Sequence, residues 1–296
     1  MPRNGLVDES SPLNRGLGAR PDQPWPRSLN YLQRAGIAAA YPIRGIWYFL
    51  RNREFWPLFS GRLLPLLLIS FIVYFILFAF AFLPQYAFLA IFHGWGAWVN
   101  AVVLVLGEGL VIIQGLFEGF FVDECRVDAF DATLIKFSWT ALISPHRALD
   151  HSAPNAVKML GKPTSSAVYT PWSIIQMVEL VVFLPLNLIP WFGTPAFIII
   201  TGTRLGKLSH YRWFQLRGFS KDQKKKEARL LVWDDIWFGT VAMILELIPI
   251  LSLFFLITTT VGAAMWTARI EEERREQETA GFGEHGDPPP YSDHDV

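Results

Sequence analysis

The stretch Leu63–Phe82, LLPLLLISFIVYFILFAFAF, decides the fold class of this chain. It contains no charged side chain, and a helix of about 20 apolar residues is long enough to cross a bilayer. Three further stretches of similar character follow along the chain. The four apolar segments are residues 63–92, 95–121, 172–202 and 236–266. Together they predict an all-α integral membrane protein.

The charge distribution along the chain supports this prediction. The 296 residues include 26 Lys plus Arg and 26 Asp plus Glu, so the formal net charge is zero, and 52% of the residues are hydrophobic. This composition excludes a disordered chain, and it excludes a nucleic-acid-binding protein that relies on a net basic charge. Every basic residue lies outside the four apolar segments. Charge is therefore partitioned along the chain as a bilayer requires.

The four segments predict two kinds of membrane element. Segments 63–92 and 95–121 are typical of long transmembrane helices, with a break or kink at Pro84 in the first. Segments 172–202 and 236–266 are each interrupted by a proline in similar surroundings, LNLIP at Leu186–Pro190 and LELIP at Leu245–Pro249. We interpret these two as re-entrant helical hairpins related by an internal repeat. Two kinked helices that span fully are the alternative, because membrane helices tolerate proline.

The domain organisation follows from the same pattern. Residues 1–40 are predicted to be a disordered cytosolic N-terminus, residues 41–270 the membrane domain, and residues 271–296 a disordered acidic tail. If the two later hairpins are re-entrant, all basic segments lie on one side of the membrane, which the positive-inside rule makes cytosolic. Both termini are then cytosolic, and only the turn His93–Gly96 reaches the far side.

Two extramembrane segments have a recognisable local chemistry. Residues 41–62 mix aromatic rings with arginines, which is typical of a helix at the membrane interface and equally of an aromatic flank before a spanning helix. In this segment Arg62 is a candidate contact for an anion or a lipid headgroup. Further on, Ser220–Gln223 has the form of a capping box and predicts the start of a basic helix.

Polar residues inside the apolar segments are the first candidate site, because ionisable groups are costly in hydrocarbon. We predict a polar pathway from six such residues: Asn100, Glu108, Gln114, Glu118, Glu179 and Glu246. Four of them, Asn100, Glu108, Gln114 and Glu118, lie on one broad stripe of a single helix. The alternative is that these groups hydrogen-bond from helix to helix and stabilise the bundle.

The sequence contains only weak indications of a metal site or of an enzyme active site. Glu124, Asp128 and Asp131 share a helix face, and ion pairing, with Arg126 as a candidate partner, or solvation explains them better than a divalent cation does. The single cysteine, Cys125, is too few for a disulfide or a cysteine-based metal site. The chain also lacks the common motifs of hydrolases, nucleotide-binding enzymes and zinc proteases. We therefore expect a non-enzymatic protein without cofactor or metal.

The acidic tail ends in a short motif that fits a known ligand class. Pro288, Pro289, Pro290 and Tyr291 match the Pro-Pro-x-Tyr ligand that WW domains bind as a polyproline II segment. A ubiquitin ligase carrying WW domains is therefore a candidate partner of the tail, beside membrane lipids. The sequence gives no oligomeric state.

Several of these stretches resemble a known superfamily. Residues 45–50 (GIWYFL), Trp56-Pro57, Leu64–Leu66, the paired Ile-Pro centres, Arg217–Ser220 and Phe238-Gly239 are similar to the CysZ and etoposide-induced membrane protein superfamily over about Tyr41–Ile270. Other stretches resemble its fungal branch of sporulation-linked lipid-droplet and outer spore wall membrane proteins. These are Leu106–Gly109, Phe117–Glu124, Leu160–Ser166 and Leu205–Arg212.

The resemblance implies a fold of two long transmembrane helices plus two hairpins that penetrate part of the membrane. CysZ proteins are sulfate permeases, and basic residues near the start of their first long helix are implicated in anion binding. For this chain the resemblance therefore implies sulfate permeation, and Arg62 is the only counterpart of those basic residues. The fungal branch implies a place in the endoplasmic reticulum and lipid droplet, and in the prospore membrane or spore wall. We expect a role in lipid-droplet or spore-wall assembly, and the alternative is an ion- or proton-coupled transporter that uses the intramembrane carboxylates.

Overall fold

The computed structural model describes residues 31–118, 122–163, 182–183, 186, 189, 192–248 and 251–283. Most of these residues are helical, and they also include one two-stranded antiparallel sheet. The helices are α1 (Tyr31–Arg51), α2 (Trp56–Ile76), α3 (Phe82–His93), α4 (Ala97–Glu118), α5 (Val122–Lys136), α6 (Thr140–Ile143), α7 (Ala156–Met159), α8 (Gly193–Ser209), α9 (Tyr211–Leu216), α10 (Lys221–Leu230), α11 (Val232–Glu246) and α12 (Ser252–Gly283). The strands are β1 (Arg147–Leu149) and β2 (Leu160–Pro163).

Three helical stretches are long and apolar enough to cross a membrane. They are Leu67–Phe92, Gly94–Ile113 and Ser252–Thr279, with 26, 20 and 28 residues. At about 1.5 Å per residue these lengths correspond to about 30–42 Å. The predicted helical membrane fold is thus supported. The finer count of two spans plus two re-entrant hairpins stays a prediction.

The first two stretches form an antiparallel helical hairpin. A π-helical turn, Leu77–Ala81, joins α2 to α3, and the short 3-10 turn Gly94–Gly96 joins α3 to α4. The predicted interruption near Pro84 therefore takes the form of a widened helical turn and not of a break. Proline lacks the N–H that an α-helix needs and its ring crowds the preceding turn, so a π-turn next to it relieves both. Gly94 has a φ of +54°, which glycine adopts without strain.

The sequence carries no proline from the start of the second apolar segment until Pro145, and its helical pattern predicts one long helix that continues to Trp139. The structure describes two helices there, α4 ending at Glu118 and α5 running from Val122 to Lys136. Ser138 follows α5 with a φ of 66°, so the chain turns before Trp139. The predicted helix is therefore too long at its C-terminal end.

The later helices pack through glycines. Gly202 and Gly206 of α8 lie against Gly239 and Asp235 of α11, so the two helices run antiparallel. A Cβ atom on Gly239 would overlap the backbone of Gly202. Helices approach this closely only where small residues replace larger side chains.

Helices α1 and α12 show a second close contact. Gly45 of α1 lies against Thr258 and Gly262 of α12, and a Cβ on Gly262 would overlap the carbonyl oxygen of Tyr41. The rings of Tyr41 and Trp266 stack with their centroids 6.0 Å apart. Trp266 and Val261 are fully buried, so this part of α12 lies at the centre of the bundle.

The predicted hairpin 236–266 corresponds to α11 and the first half of α12. Helix α12 is 32 residues long and extends past the predicted end of this hairpin at residue 266, and the re-entrant geometry stays a prediction. After Thr267 the sequence is rich in Glu, Arg and Ala, which favour helix, and has no proline before residue 288. The other predicted hairpin, 172–202, lies largely outside the described residues, and α8 covers its end.

The terminal segments also differ from their predicted disorder. Helix α1 begins at Tyr31, inside the segment 1–40, and α12 ends at Gly283, inside the tail 271–296. The predicted capping box is confirmed, since the Ser220 and Gln223 side chains each bond the other's backbone N–H at the start of α10.

The chain divides into two compact units, residues 30–268 and residues 1–29 with 269–296. In the smaller unit the described residues are the end of α12. Two ion pairs lie on its surface, Arg269 with Glu273 and Arg275 with Glu272.

Candidate functional site

The hairpin of α2, α3 and α4 carries an unusually apolar surface. Phe75, Phe80 and Ile91 are largely exposed, and Trp95 at the turn is 95% exposed. Only 11% of the most apolar window of Leu67–Phe92 is buried within the protein. A surface of exposed aromatic and aliphatic side chains on this scale needs an apolar environment around it. The hairpin therefore forms a lipid-facing surface.

Two residues of the predicted polar pathway are held by neighbouring helices. The amide nitrogen of Gln85 on α3 donates to both carboxylate oxygens of Glu108 on α4, at 2.7 and 2.9 Å. The hydroxyl of Thr194 on α8 donates to the side-chain oxygen of Asn100 at 2.8 Å. Both contacts join helices, as the structural alternative predicts.

Glu246 lies in a third polar contact. It is fully buried at the end of α11, and the hydroxyl of Thr259 donates to it at 3.4 Å. Arg126 of α5 interacts with its charge and donates from Nε to the hydroxyl of Thr260 at 3.2 Å. A buried carboxylate is stabilised by such a cation and by hydroxyl donors. Sequence reasoning could not identify Arg126 as a partner, because it lies 120 residues from Glu246.

These three contacts use different partners, so the described residues do not show one continuous pathway. The side chains of Gln114 and Glu118 and the whole of Glu179 lie outside the described residues. The same holds for the side chain of Arg62 and for Pro288–Tyr291. The polar pathway, the headgroup contact at Arg62 and the WW ligand therefore stay predictions.

Two acidic residues of α5, Asp128 and Asp131, form ion pairs with arginines. Asp131 is fully buried and accepts from Nε and Nη2 of Arg212 at 3.0 and 2.7 Å. Arg147 of β1 binds Asp128 at 2.7 Å and approaches Asp131 at 3.4 Å. Ion pairing is thus confirmed for Asp128 and Asp131, with arginines distant in sequence. Among the residues that the structure describes, no group of His, Cys, Asp and Glu could hold a metal ion.

A second buried polar group joins α8, α11 and α12. The Nε2 atom of His210 lies 3.4 Å from Oδ1 of Asp235, and both side chains are buried. The His210 ring packs edge-on against Trp266, with centroids 4.4 Å apart. Burial raises the pKa of Asp235, and the neighbouring His210 opposes that shift. The pair lies where α8 ends and α11 begins, beside the apolar run 236–266, and the sequence reasoning missed it.

A comparison with known proteins gives a partial match. Over 139 residues the chain is 30% identical to the outer spore wall protein RRT8 of Saccharomyces cerevisiae. Part of this chain resembles a spore wall protein. The aligned part is 45% of this chain and 40% of that relative. The chain thus matches less than half the length of RRT8.

No family model matches the chain, and no solved structure matches it. The resemblance to the CysZ superfamily stays a prediction.

Proposed function

We propose that this chain is a non-enzymatic multi-pass membrane protein of the endoplasmic reticulum and lipid droplet that acts in lipid-droplet or spore-wall assembly. The observation that carries the proposal is the lipid-facing hairpin, whose surface is apolar from Leu67 to its exposed turn. The similarity to the outer spore wall protein RRT8 supports the biological setting.

The hairpin also supports a place on lipid droplets. No charged residue lies between Arg62 and Glu108, and Trp95 at the turn is exposed. A charged or large polar loop would require water on the far side of a bilayer, whereas this turn can remain in apolar surroundings. The hairpin is therefore compatible with the single leaflet of a droplet. Cytosolic termini are part of this proposal.

A transporter is the second candidate, because Glu246 and Glu108 are carboxylates within apolar helices. Their partners favour a structural role: Glu108 is bonded by Gln85, and Glu246 lies beside Thr259 and Arg126. Flux measured in proteoliposomes discriminates the two functions. Proton or ion flux that disappears in Glu246→Gln and persists in Thr203→Val would favour the transporter.

The tail motif adds a proposed partner. We expect a ubiquitin ligase with WW domains to bind Pro288–Tyr291 on the cytosolic side. Binding of the full chain to an isolated WW domain, compared with the Tyr291→Ala variant, tests this partner. Equal binding of the two forms would remove it from the proposal.

Imaging and complementation test the main proposal. A fluorescent fusion is expressed in lipid-loaded, sporulating cells of a strain that lacks the endogenous protein, and spore-wall permeability to a dye is measured in the same strain. We expect droplet and endoplasmic reticulum fluorescence and restored wall integrity from the wild-type chain and from Phe80→Leu. Phe80→Arg, which places a charge on the lipid-facing hairpin, is expected to fail in both. Absence of the fusion from droplets together with a normal wall in the deletion strain would contradict the proposal.

A further inference from the structure

Helix α1 has two faces of different character. Its inner side packs on α12 through Tyr41, Gly45 and Phe49, all of them buried. Its outer side presents Ile43, Trp47 and Leu50, which are 57%, 69% and 46% exposed. These positions are spaced i, i+4 and i+7, so they form one stripe along the helix.

Three arginines accompany this stripe. Arg44 and Arg51 of α1 and Arg53 of the turn that follows are exposed. The guanidinium of Arg44 lies 5.5 Å from the ring centroid of Tyr41, and that of Arg53 lies 5.7 Å from the ring centroid of Trp56. None of them forms an ion pair with another residue that the structure describes. The only acid between residues 31 and 60, Glu54, is bound by Lys136. The outer side of α1 and the turn that follows it thus combine apolar side chains with an excess of positive charge.

The position of this face follows from the chain connection. Asn52 and the 3-10 turn Arg53–Phe55 separate α1 from α2, the first helix of the lipid-facing hairpin. A linker of four residues spans at most about 14 Å. The end of α1 therefore lies near the place where the hairpin would enter the membrane.

We propose that the outer face of α1 lies in the headgroup layer of the cytosolic leaflet and selects anionic phospholipids. Ile43, Trp47 and Leu50 enter the acyl boundary, while Arg44, Arg51 and Arg53 bind lipid phosphates and anionic headgroups. Tryptophan and arginine are the residues that favour this depth, and guanidinium groups bind phosphate through two parallel hydrogen bonds. This inference rests on the proposed membrane insertion of the hairpin.

Site-specific labelling of the full chain tests the inference. Cys125 is replaced by alanine, and a single cysteine is introduced and labelled with a fluorophore at position 43, 75 or 151. Ile43→Cys reports the outer face of α1, Phe75→Cys the hairpin, and His151→Cys an exposed polar turn. Each labelled chain is reconstituted into vesicles of phosphatidylcholine alone or of phosphatidylcholine with phosphatidylserine. Acrylamide quenching then measures the access of water to the label.

We expect label 75 to be shielded in both vesicle types and label 43 to be shielded relative to label 151 when phosphatidylserine is present. Replacing Arg44, Arg51 and Arg53 by glutamine should weaken the binding of α1 to those vesicles about a hundredfold, since each basic residue near an anionic surface contributes about fivefold, and the quenching of label 43 should rise to that of label 151. The matched control removes three exposed charges of α10, through Lys221→Gln, Lys225→Gln and Arg229→Gln, and should leave label 43 unchanged. Monodisperse elution in detergent confirms that each variant folds.

Other results overturn the inference in distinguishable ways. If label 43 is as accessible as label 151 while label 75 is shielded, α1 faces water and the hairpin proposal stands. If label 75 is also accessible, the hairpin proposal itself fails. Shielding of label 43 that is equal in both vesicle types and insensitive to the arginine changes contradicts anionic recognition. Shielding that disappears on dilution of the chain in lipid shows that a second copy covers the face.

Discussion

The helices Leu67–Phe92 and Ser252–Thr279 both contain an apolar window long enough to cross a membrane, yet their surroundings are opposite. In the first, 11% of that window is buried within the protein, and in the second 83% is buried. Their mean hydropathies, 2.6 and 1.4, rank them in the same order as their exposure. The more apolar helix is the one left uncovered.

The difference shows that a helix which is long and apolar enough to cross a membrane can be either exposed to lipid or buried within the protein. An exposed apolar helix requires lipid, because no other part of the chain covers it. A buried apolar helix is already covered by protein, here by α1 and α11, and its apolar residues serve the bundle as a core. The first helix therefore supports a membrane location more strongly than the last.

The largest expected effect comes from a charge on the exposed hairpin. Phe80 lies near the middle of Leu67–Phe92 and is 74% exposed. Phe80→Arg should make the free energy of membrane insertion less favourable by about 3 kcal/mol, because an arginine at the centre of a spanning helix is costly. A glycosylation-based insertion assay measures this change. Phe80→Leu is the matched control and should insert normally, and equal insertion of both variants would contradict a lipid-facing surface.

A close backbone contact distinguishes the buried helix from the hairpin. Gly262→Ala places a Cβ against the carbonyl oxygen of Tyr41, so α1 and α12 must separate. We expect the free energy of unfolding to fall by about 2–3 kcal/mol. Thermal unfolding in detergent measures it. Gly96→Ala, at the hairpin turn where a Cβ meets no atom within 4 Å, should change stability by less than about 0.5 kcal/mol.

The hydrogen bonds inside the hairpin should have a smaller effect. Gln85→Leu removes both donors to Glu108 and leaves a carboxylate without its amide partner, at a cost of about 1.5 kcal/mol. The same unfolding measurement detects it. The double variant Gln85→Leu with Glu108→Leu removes both polar groups and should recover most of the loss. No recovery would show that Glu108 has another role, such as the predicted polar pathway.

The smallest expected effect concerns the contact between α4 and α8. Thr194→Val removes the hydrogen bond to Asn100 and should cost about 0.6 kcal/mol, the mean value of such bonds in a membrane protein. Thr203→Val is the control, because the Thr203 hydroxyl donates within its own helix to Ile199. A loss above about 2 kcal/mol for Thr194→Val would indicate that this bond, and not packing, holds the hairpin to α8.

The sequence predicted those features that depend on local composition. The absence of charge in 63–92 indicated the membrane hairpin, and Ser220–Gln223 indicated the start of α10, because both signals lie within a few turns of helix. The long-range partners were not predictable. Asp131 binds Arg212 and Arg147, and Arg126 approaches Glu246, through folding that brings distant segments together. The proline in LELIP correctly marked the end of α11, but it did not indicate that α12 continues beyond residue 266.

The sequence by itself determined which segments avoid water, since this depends only on the free energy of transferring each side chain. It also determined where charge is excluded and which carboxylates must find partners. The tertiary structure decided which apolar helices meet lipid and which form the core. It did so because burial depends on close approach, and Gly45 with Gly262 allows α1 to cover α12, while no described helix covers the outer side of the hairpin.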